Sequence, residues 1–367
     1  MRIAQVTCSL TSGGAERLAT DLSVALSRMG HAVDFVTVDK RTFSEYETAM
    51  LERLSQAGVE VCSLGRQPGS GYLAAGCAVR LAARIARRKY DIVHSHLCLS
   101  HVCVGLARRL SSRRCRHVLT VHDTREQWSR LTSIFVRNAT VVFCSDAVAG
   151  KFSASGRTHT IHNGIDLTGG REAGGDSLDT RRSLGIPDDA VFIVSVGNLR
   201  EQKNYSQAIE AVSFLQTQSP GRNIHYAICG QGAEDAHLRE QIRSHALDGA
   251  VHLLGARLDV PNVLRAADCF LSASKYEGMP LSVLEALRQG AKCALSPIPE
   301  HRSIVDGMAG CVIAADTTPA AMASAVSDLL RRKESHQQLS DLRRQKLERF
   351  SFETCVASYE RLYRERN

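Results

Sequence analysis

No stretch of this chain is apolar for the roughly 18–20 residues that a membrane-spanning helix needs. No apolar h-region precedes a cleavage site near the N-terminus. The expectation is a soluble, cytoplasmic protein, at most peripheral on a membrane. The twelve cysteines contain no C-x-x-C pair. Cys8, Cys144, Cys229, Cys269 and Cys293 fall in apolar segments, which suits buried, reduced thiols rather than a disulfide or zinc framework. Aromatics are few, at 5%, and no nucleic-acid-binding motif is present, so no nucleic-acid partner is expected. No G-x-G-x-x-G follows the first apolar run, which disfavours a dinucleotide-dependent dehydrogenase. No internal repeat shorter than a domain and no low-complexity tract occurs.

What is present is ordinary in composition but ordered in pattern. A chain of 367 residues with 44% hydrophobic content supplies two cores. Short apolar runs alternate with amphipathic segments. The first half gives strands at 2–7, 33–38, 92–94, 118–121 and 140–144, with helices at 15–29 and 79–89. The second half gives strands at 191–196, 224–229, 251–254, 269–272 and 293–296, with helices at 205–215, 236–246, 260–267 and 281–289. Such alternation builds parallel sheets covered on both faces, here two Rossmann-like domains in series. The boundary is expected near Asn163-Gly164-Ile165-Asp166, followed by a Gly-, Ser- and Asp-rich linker over 167–179. A last helix is expected around 352–364, with Tyr359 and Tyr363 one turn apart.

Charge is unevenly distributed. Residues 1–165 carry a formal +10 and residues 166–367 a formal −2. The excess clusters at Arg80, Arg84, Arg87, Arg88 and Lys89, and again at Arg108, Arg109, Arg113, Arg114 and Arg116. An anionic membrane surface and an ordinary solvated face both fit this pattern.

The segment Glu277-Gly278-Met279-Pro280-Leu281-Ser282-Val283-Leu284-Glu285 sets two glutamates across a loop-to-helix junction. Pro280 suits the first helical position and Gly290 the exit after Gln289. Glu285 then lies in a helix that is apolar nearly all round, where a carboxylate must be hydrogen-bonded. A ligand hydroxyl would serve, while the N–H groups of Gly278 to Leu281 offer an anion site. A capping glutamate and an exposed one are the alternative.

Open parallel sheets bind ligands beyond the carboxyl ends of their strands. After 191–196 comes Gly197-Asn198-Leu199-Arg200-Glu201-Gln202-Lys203, a glycine turn with two cations suited to a diphosphate. After 224–229 comes Gly230-Gln231-Gly232, and after 251–254 comes Gly255-Ala256-Arg257. In the first half, Thr11-Ser12-Gly13-Gly14-Ala15-Glu16-Arg17 opens a helix. His94 and His96 end one strand, and His122-Asp123 follow the next.

These motifs, in this order, resemble the retaining glycosyltransferases of family 4, which have the α/β GT-B fold of two Rossmann-like domains facing a central cleft. The likeness covers nearly the whole chain and includes N-G-I-D at the domain junction. It implies an acceptor-side domain at 1–165, a donor-binding domain at 166–349, and a C-terminal helix, about 350–367, that crosses back onto the first domain.

The resemblance implies a transferase that moves a sugar from a nucleotide-sugar, UDP-sugar favoured, to a saccharide or lipid-linked saccharide in bacterial surface polysaccharide or glycolipid assembly. It implies catalytic roles for Glu277, His122, Lys203 and Arg200. Asn198 stands where the family has arginine, and Arg200 is the substitute two residues on. Donor-binding positions by likeness are Gly13, Gly14, Gly197, Asn198, Gly230, Gly232, Arg257, Gly278, Met279, Pro280, Leu281 and Glu285. Arg17, His94, His96 and Asp123 are acceptor-side candidates. No Asp-x-Asp, the metal–diphosphate clamp of the other large glycosyltransferase fold, occurs, so no metal and no cofactor is expected. Rivals are a nucleotide-sugar epimerase or disaccharide phosphorylase on the same fold, or a catalytically silent nucleotide-sugar-binding protein.

Overall fold

Segments such as Ile3–Val6 and Phe192–Val194 bury every side chain, the pattern of strands in a parallel sheet covered on both faces. The computed structural model describes residues 1–11, 13–67, 74–125, 130–152, 156–167 and 177–365. Ser12 and most of the expected linker lie outside them. Among the described residues the first sheet comprises β1 (Arg2–Thr7), β2 (Ala32–Asp39), β3 (Glu60–Arg66), β4 (Ile92–His96), β5 (Arg116–Val121), β6 (Thr140–Phe143) and β7 (Thr158–Thr160). The second comprises β8 (Val191–Val196), β9 (Ile224–Cys229), β10 (Val251–Gly255), β11 (Cys269–Ser272), β12 (Lys292–Leu295) and β13 (Cys311–Ile313).

The strand orders are β3-β2-β1-β4-β5-β6-β7 and β10-β9-β8-β11-β12-β13, and every pairing is parallel. Both are doubly wound sheets, whose order reverses between β1 and β4 and between β8 and β11. Loops leaving those strands therefore diverge and open a crevice at each carboxyl edge. The chain divides into one unit of Met1–Asn163 with Cys355–Asn367, and a second of Gly164–Thr354.

In the first unit the sheet is flanked by helices including Gly14–Arg28, Glu45–Gln56, Ala74–Arg88 and Cys98–Leu110, and the C-terminal helix Phe352–Arg364 contributes its last turns. One core gathers Ala4, Val6, Val36, Leu81, Ile85, Val93 and Val104. In the second unit helices Tyr205–Gln218, Leu281–Arg288 and Pro319–Leu330 flank the sheet, and Ile193, Val212, Tyr226, Leu271 and Val326 fill a core beneath it. Gly164 is required there, since a Cβ would lie 2.5 Å from the Ser351 carbonyl. The close approach lets Ile165 N–H donate to Phe350 O, and Phe352 N–H to Ile165 O, each at 2.9 Å. All twelve cysteines are free thiols.

The ten basic residues clustered in the first half do not form an open cationic face. The Arg84 guanidinium, 8% exposed, donates to Asp34 at 2.8 Å and Glu60 at 2.7 Å. Arg88 grips the other oxygen of Asp34 at 2.6 Å, and the Tyr90 hydroxyl also donates to Asp34. Arg80 is tied to Leu64 O, Arg108 to Cys115 O and Arg109 to Ile134 O. Arg113 pairs with Asp91, and Arg116 caps the carbonyls of Leu362, Tyr363 and Glu365. Only Arg87, Lys89 and Arg114 are exposed without a side-chain partner among the described residues.

Burial opposes ionisation of Asp34, but hydrogen bonds from Arg88 and Tyr90 and the nearby guanidinium charges outweigh it and hold its carboxyl below the usual range. Its stabilising contribution is complete above the unfolded value, near ~4, and is lost as pH falls through the lower folded value. Asp34→Asn is expected to be about 3–5 kcal/mol less stable at neutral pH. Urea unfolding should show that deficit shrinking below about pH 4. A deficit constant with pH would contradict the ion-pair account.

Candidate active site

At the switch point of the second unit, β8 ends in Gly197, whose φ of +149° no ordinary side chain adopts comfortably. The turn 197–203 is held by its neighbour: Gly197 N–H donates to Cys229 O and Leu199 N–H to Gln231 O, both at 3.0 Å. A Cβ on Gly230 would sit 1.9 Å from the Gly197 carbonyl oxygen, and one on Gly232 would sit 2.4 Å from that of Leu199. Both glycines are therefore contact residues between two turns. Asn204, left-handed at φ +55°, ends the short 3-10 turn Glu201–Lys203 and starts the helix Tyr205–Gln218.

That turn aims Lys203 at the loop leaving β11. Its Nζ donates to Glu277 Oε1 at 2.6 Å, with side chains 19% and 7% exposed. The Ser274 hydroxyl donates to the same oxygen at 2.7 Å. Gln202 Nε2 donates to Tyr276 O at 3.0 Å, and Lys275 N–H to Gln202 O at 2.9 Å. Behind Ser274, Ser296 Oγ donates to its carbonyl at 2.6 Å. His301 Nδ1–H donates to Ser296 O at 3.0 Å. Burial pushes His301 down to about 4, although the Glu277 carboxylate works against the shift. It is thus a neutral support under the pair.

The helix Leu281–Arg288 begins where expected and ends one residue early, with Gln289 as its C-cap. Pro280 is its N-cap rather than its first helical residue, because at φ −75° its ψ of 85° is not helical. The amides of Met279, Leu281 and Ser282 donate to no described residue, so the helix N-terminus retains anion-binding capacity. The exit is a Schellman motif: Gly290 at φ +78°, with Gly290 N–H to Leu287 O and Ala291 N–H to Ala286 O. Glu285 corrects an expectation. It is half-buried rather than enclosed, since it lies on the one partly open stripe of this helix, so burial alone does not demand a ligand hydroxyl. Arg200 is exposed and its guanidinium has no partner among the described residues. Asn198 is half-buried in the same turn. Arg257 forms a bidentate pair with Asp259, both bonds 2.7 Å, and this pairing holds the Asp259 carboxyl below its usual range.

In the first unit, Gly13 and Gly14 open the helix Gly14–Arg28. A Cβ on Gly13 would meet Glu16 Oε2 at 2.2 Å, so the glycine admits a buried carboxylate to the helix N-terminus. Thr11 Oγ1 donates to that carboxylate at 3.2 Å. Arg17 is exposed and lies 3.9 Å from Asp21. His122, half-buried just past β5, joins His96 through Nε2 and Nδ1 at 3.0 Å. Asp123 Oδ1 accepts from Arg125 N–H at 2.8 Å. His94 and His96, for which an acceptor-side role and a packing role were both open, do not line a surface. Both are fully buried and depressed well below the usual histidine range, chiefly by burial.

The structure thus brings Lys203, Glu277, Gly197, Gly230 and Gly232 together in one crevice. It adds Gln202, which the sequence reading quoted within the glycine turn without a role, and Ser274, Ser296 and His301, which it did not single out. Ser274, three residues before Glu277 at a strand's carboxyl end, carried the one usable signal. Among the described residues no three of His, Cys, Asp and Glu group as metal ligands. The site offers a buried carboxylate, a lysine beside it and unpaired amides, a set that can bind hydroxyls and an anion together.

Comparison with known proteins fits this geometry. A model of Glycosyltransferase Family 4 matches residues 12–168 and one of Glycosyl transferases group 1 matches 176–346. The N-acetyl-alpha-D-glucosaminyl L-malate synthase of Bacillus anthracis is 25% identical, covering 98% of this chain and 95% of that one. An Escherichia coli UDP-Gal:alpha-D-GlcNAc-diphosphoundecaprenol alpha-1,3-galactosyltransferase is 28% identical over 62% of this chain and 63% of its own. The Anabaena protein Alr3699/HepE, solved in complex with UDP and glucose, superposes with a TM-score of 0.82 at 18% identity, over 99% of each chain.

Gly230→Ala should drive the two turns apart and destabilise the protein by about 1–3 kcal/mol, read by urea unfolding. Gly249→Ala, with open space around the added methyl, is the control. Equal stability of the two variants would contradict the close packing of the turns.

Proposed function

Because this chain belongs to the group 1 glycosyltransferases, we propose that it is a retaining enzyme that moves a sugar from a UDP-sugar to a saccharide or lipid-linked saccharide in bacterial surface glycan assembly. The observation that carries the reading is the Lys203–Glu277 pair at the second unit's switch point, beside the Gly197 turn and the Leu281 helix N-terminus. Lys203 has three ammonium donors and gives one to Glu277, so others remain for phosphate oxygens. The exposed Arg200 and the amides of Met279, Leu281 and Ser282 complete a cationic cradle for the diphosphate. Fixed donors of this kind stabilise a leaving phosphate by preorganised electrostatics, which supports transfer without a metal.

Glu277, steadied by Lys203 and Ser274, orients sugar hydroxyls, and Glu285 accepts from the ribose. The leaving phosphate takes the acceptor's proton on the face it vacates, which retains configuration. UDP is favoured over other nucleotides because the Escherichia coli relative is named for UDP-Gal and the Anabaena structure holds UDP. The lipid-linked acceptor is supported by the diphosphoundecaprenol in that relative's name. Attraction to an anionic membrane rests on Arg87, Lys89 and Arg114, at about 1 kcal/mol each near the lipid, less than the sequence clusters suggest.

The test is thermal stabilisation by UDP, GDP, ADP and CDP, each with magnesium or with EDTA. UDP at about a hundredfold over its Kd should add about 2.7 kcal/mol, undiminished by EDTA. Glu285→Ala should weaken UDP binding by about 1–3 kcal/mol. No shift with any nucleotide would overturn the reading.

A further inference from the structure

Period-two alternation along β1, β4 and β5 sets Gln5, His94, His96, Thr120 and His122 on one face of the first sheet. Gln5 is the register partner of His94, and His96 of Thr120. The C-terminal helix lays Tyr359 and Tyr363 on that face. These side chains form one unbroken hydrogen-bonded chain. His122 Nε2 meets His96 Nδ1 at 3.0 Å. His96 Nε2 meets Gln5 Oε1 at 2.9 Å. Gln5 Nε2 donates to the Tyr363 hydroxyl at 3.2 Å. That hydroxyl meets His94 Nδ1 at 2.6 Å, and His94 Nε2 meets Thr120 Oγ1 at 2.8 Å. Thr120 and Tyr359 share the last bond, 2.9 Å.

Gln5, His94, His96, Thr120 and Tyr359 are wholly buried, and Tyr363 nearly so, so each group must satisfy its neighbour in the chain. The amide of Gln5 sets the direction. Its oxygen is only an acceptor, so His96 carries its proton on Nε2 and leaves Nδ1 as an acceptor. His122 must then donate from Nε2. Running the other way, the amide nitrogen donates to Tyr363, whose own proton goes to His94 Nδ1, and His94 donates from Nε2 to Thr120. Every member is consistent with this one direction.

We propose that Gln5 and His96 are positioning residues that hold His122 as the Nε2–H tautomer, whose Nδ1 can only accept a hydrogen bond. The inference rests on the transferase reading for its catalytic consequence but not for the tautomer itself. The tautomer of an imidazole is fixed by the bond its other nitrogen makes, and here that constraint originates two side chains away, at Gln5. His96, kept neutral by burial, transmits the orientation without carrying a charge.

The experiment is nitrogen-15 NMR of the histidine rings of the full chain, at about pH 8 where an unperturbed imidazole is neutral, alongside steady-state kinetics. The wild-type protein should show His122 protonated on Nε2. In Gln5→Leu the tautomer population should move toward Nδ1–H, with kcat down at least about tenfold and the donor KM unchanged within a factor of about two. Tyr359→Phe perturbs the same packed face but leaves both partners of the Gln5 amide in place, so it should keep the wild-type tautomer. Thermal melts establish that each variant is folded. His122 protonated on Nδ1 in the wild type, or an unmoved tautomer in folded Gln5→Leu, would overturn the proposal. The predicted tautomers without transfer from any nucleotide-sugar would sink the transferase reading and leave the relay standing.

Discussion

A carboxylate as deeply buried as Glu277 survives only with a cation and hydrogen bonds around it, and the second unit is organised to provide them. Removing one partner of such a pair leaves an uncompensated charge that costs several kcal/mol. The requirement fixes Lys203, and Lys203 fixes the turn that delivers it. That turn has the backbone of Gly197, and it packs so closely on the next loop that Gly230 and Gly232 cannot carry a side chain. On the other side, Ser274, Ser296 and the neutral His301 hold the loop that presents Glu277. The ion pair thus joins the loops that leave β8 and β11, the two strands between which the sheet order reverses.

The first unit solves its own switch point with neutral groups. Histidines, a glutamine, a threonine and tyrosines hydrogen-bond in series, and burial keeps two of the histidines uncharged. Several arginines of the basic clusters in this half are tied to Asp34, Glu60 and main-chain carbonyls. Charge in the sequence and charge at the surface differ because long side chains find local acceptors before they find solvent. The C-terminal helix is held by the same economy: Arg116 gathers its last carbonyls while Tyr359 and Tyr363 enter the core.

Much of this was legible in the sequence. Strands β1, β8, β9 and β11 follow from continuous apolar runs, and the Rossmann-like alternation from their spacing. Strand β3 was not legible, because Glu-Val-Cys-Ser-Leu-Gly-Arg lies at a sheet edge and is largely half-exposed. The helix Glu45–Gln56 was passed over although Ser44 caps it, since its apolar stripe is thin. Strand β4 extends to His96 because buried polar residues there are satisfied by one another, a fact no local pattern carries. The same limit applies to the site. Motifs gave Glu277 and Lys203 separately, but their contact spans 74 positions and exists only once the sheet is assembled. Tyr359 and Tyr363 were visible as one helix face and His94 as a strand end, whereas their contact was not.

The most direct measurement is calorimetric titration of UDP into the wild-type protein and Lys203→Met, which keeps the length of the side chain and removes its charge. Loss of a charge-assisted phosphate contact should weaken UDP binding by about 1.5–3 kcal/mol, roughly ten- to a hundredfold. Equal affinity in the two proteins would mean that Lys203 only balances Glu277, and that the diphosphate is held elsewhere.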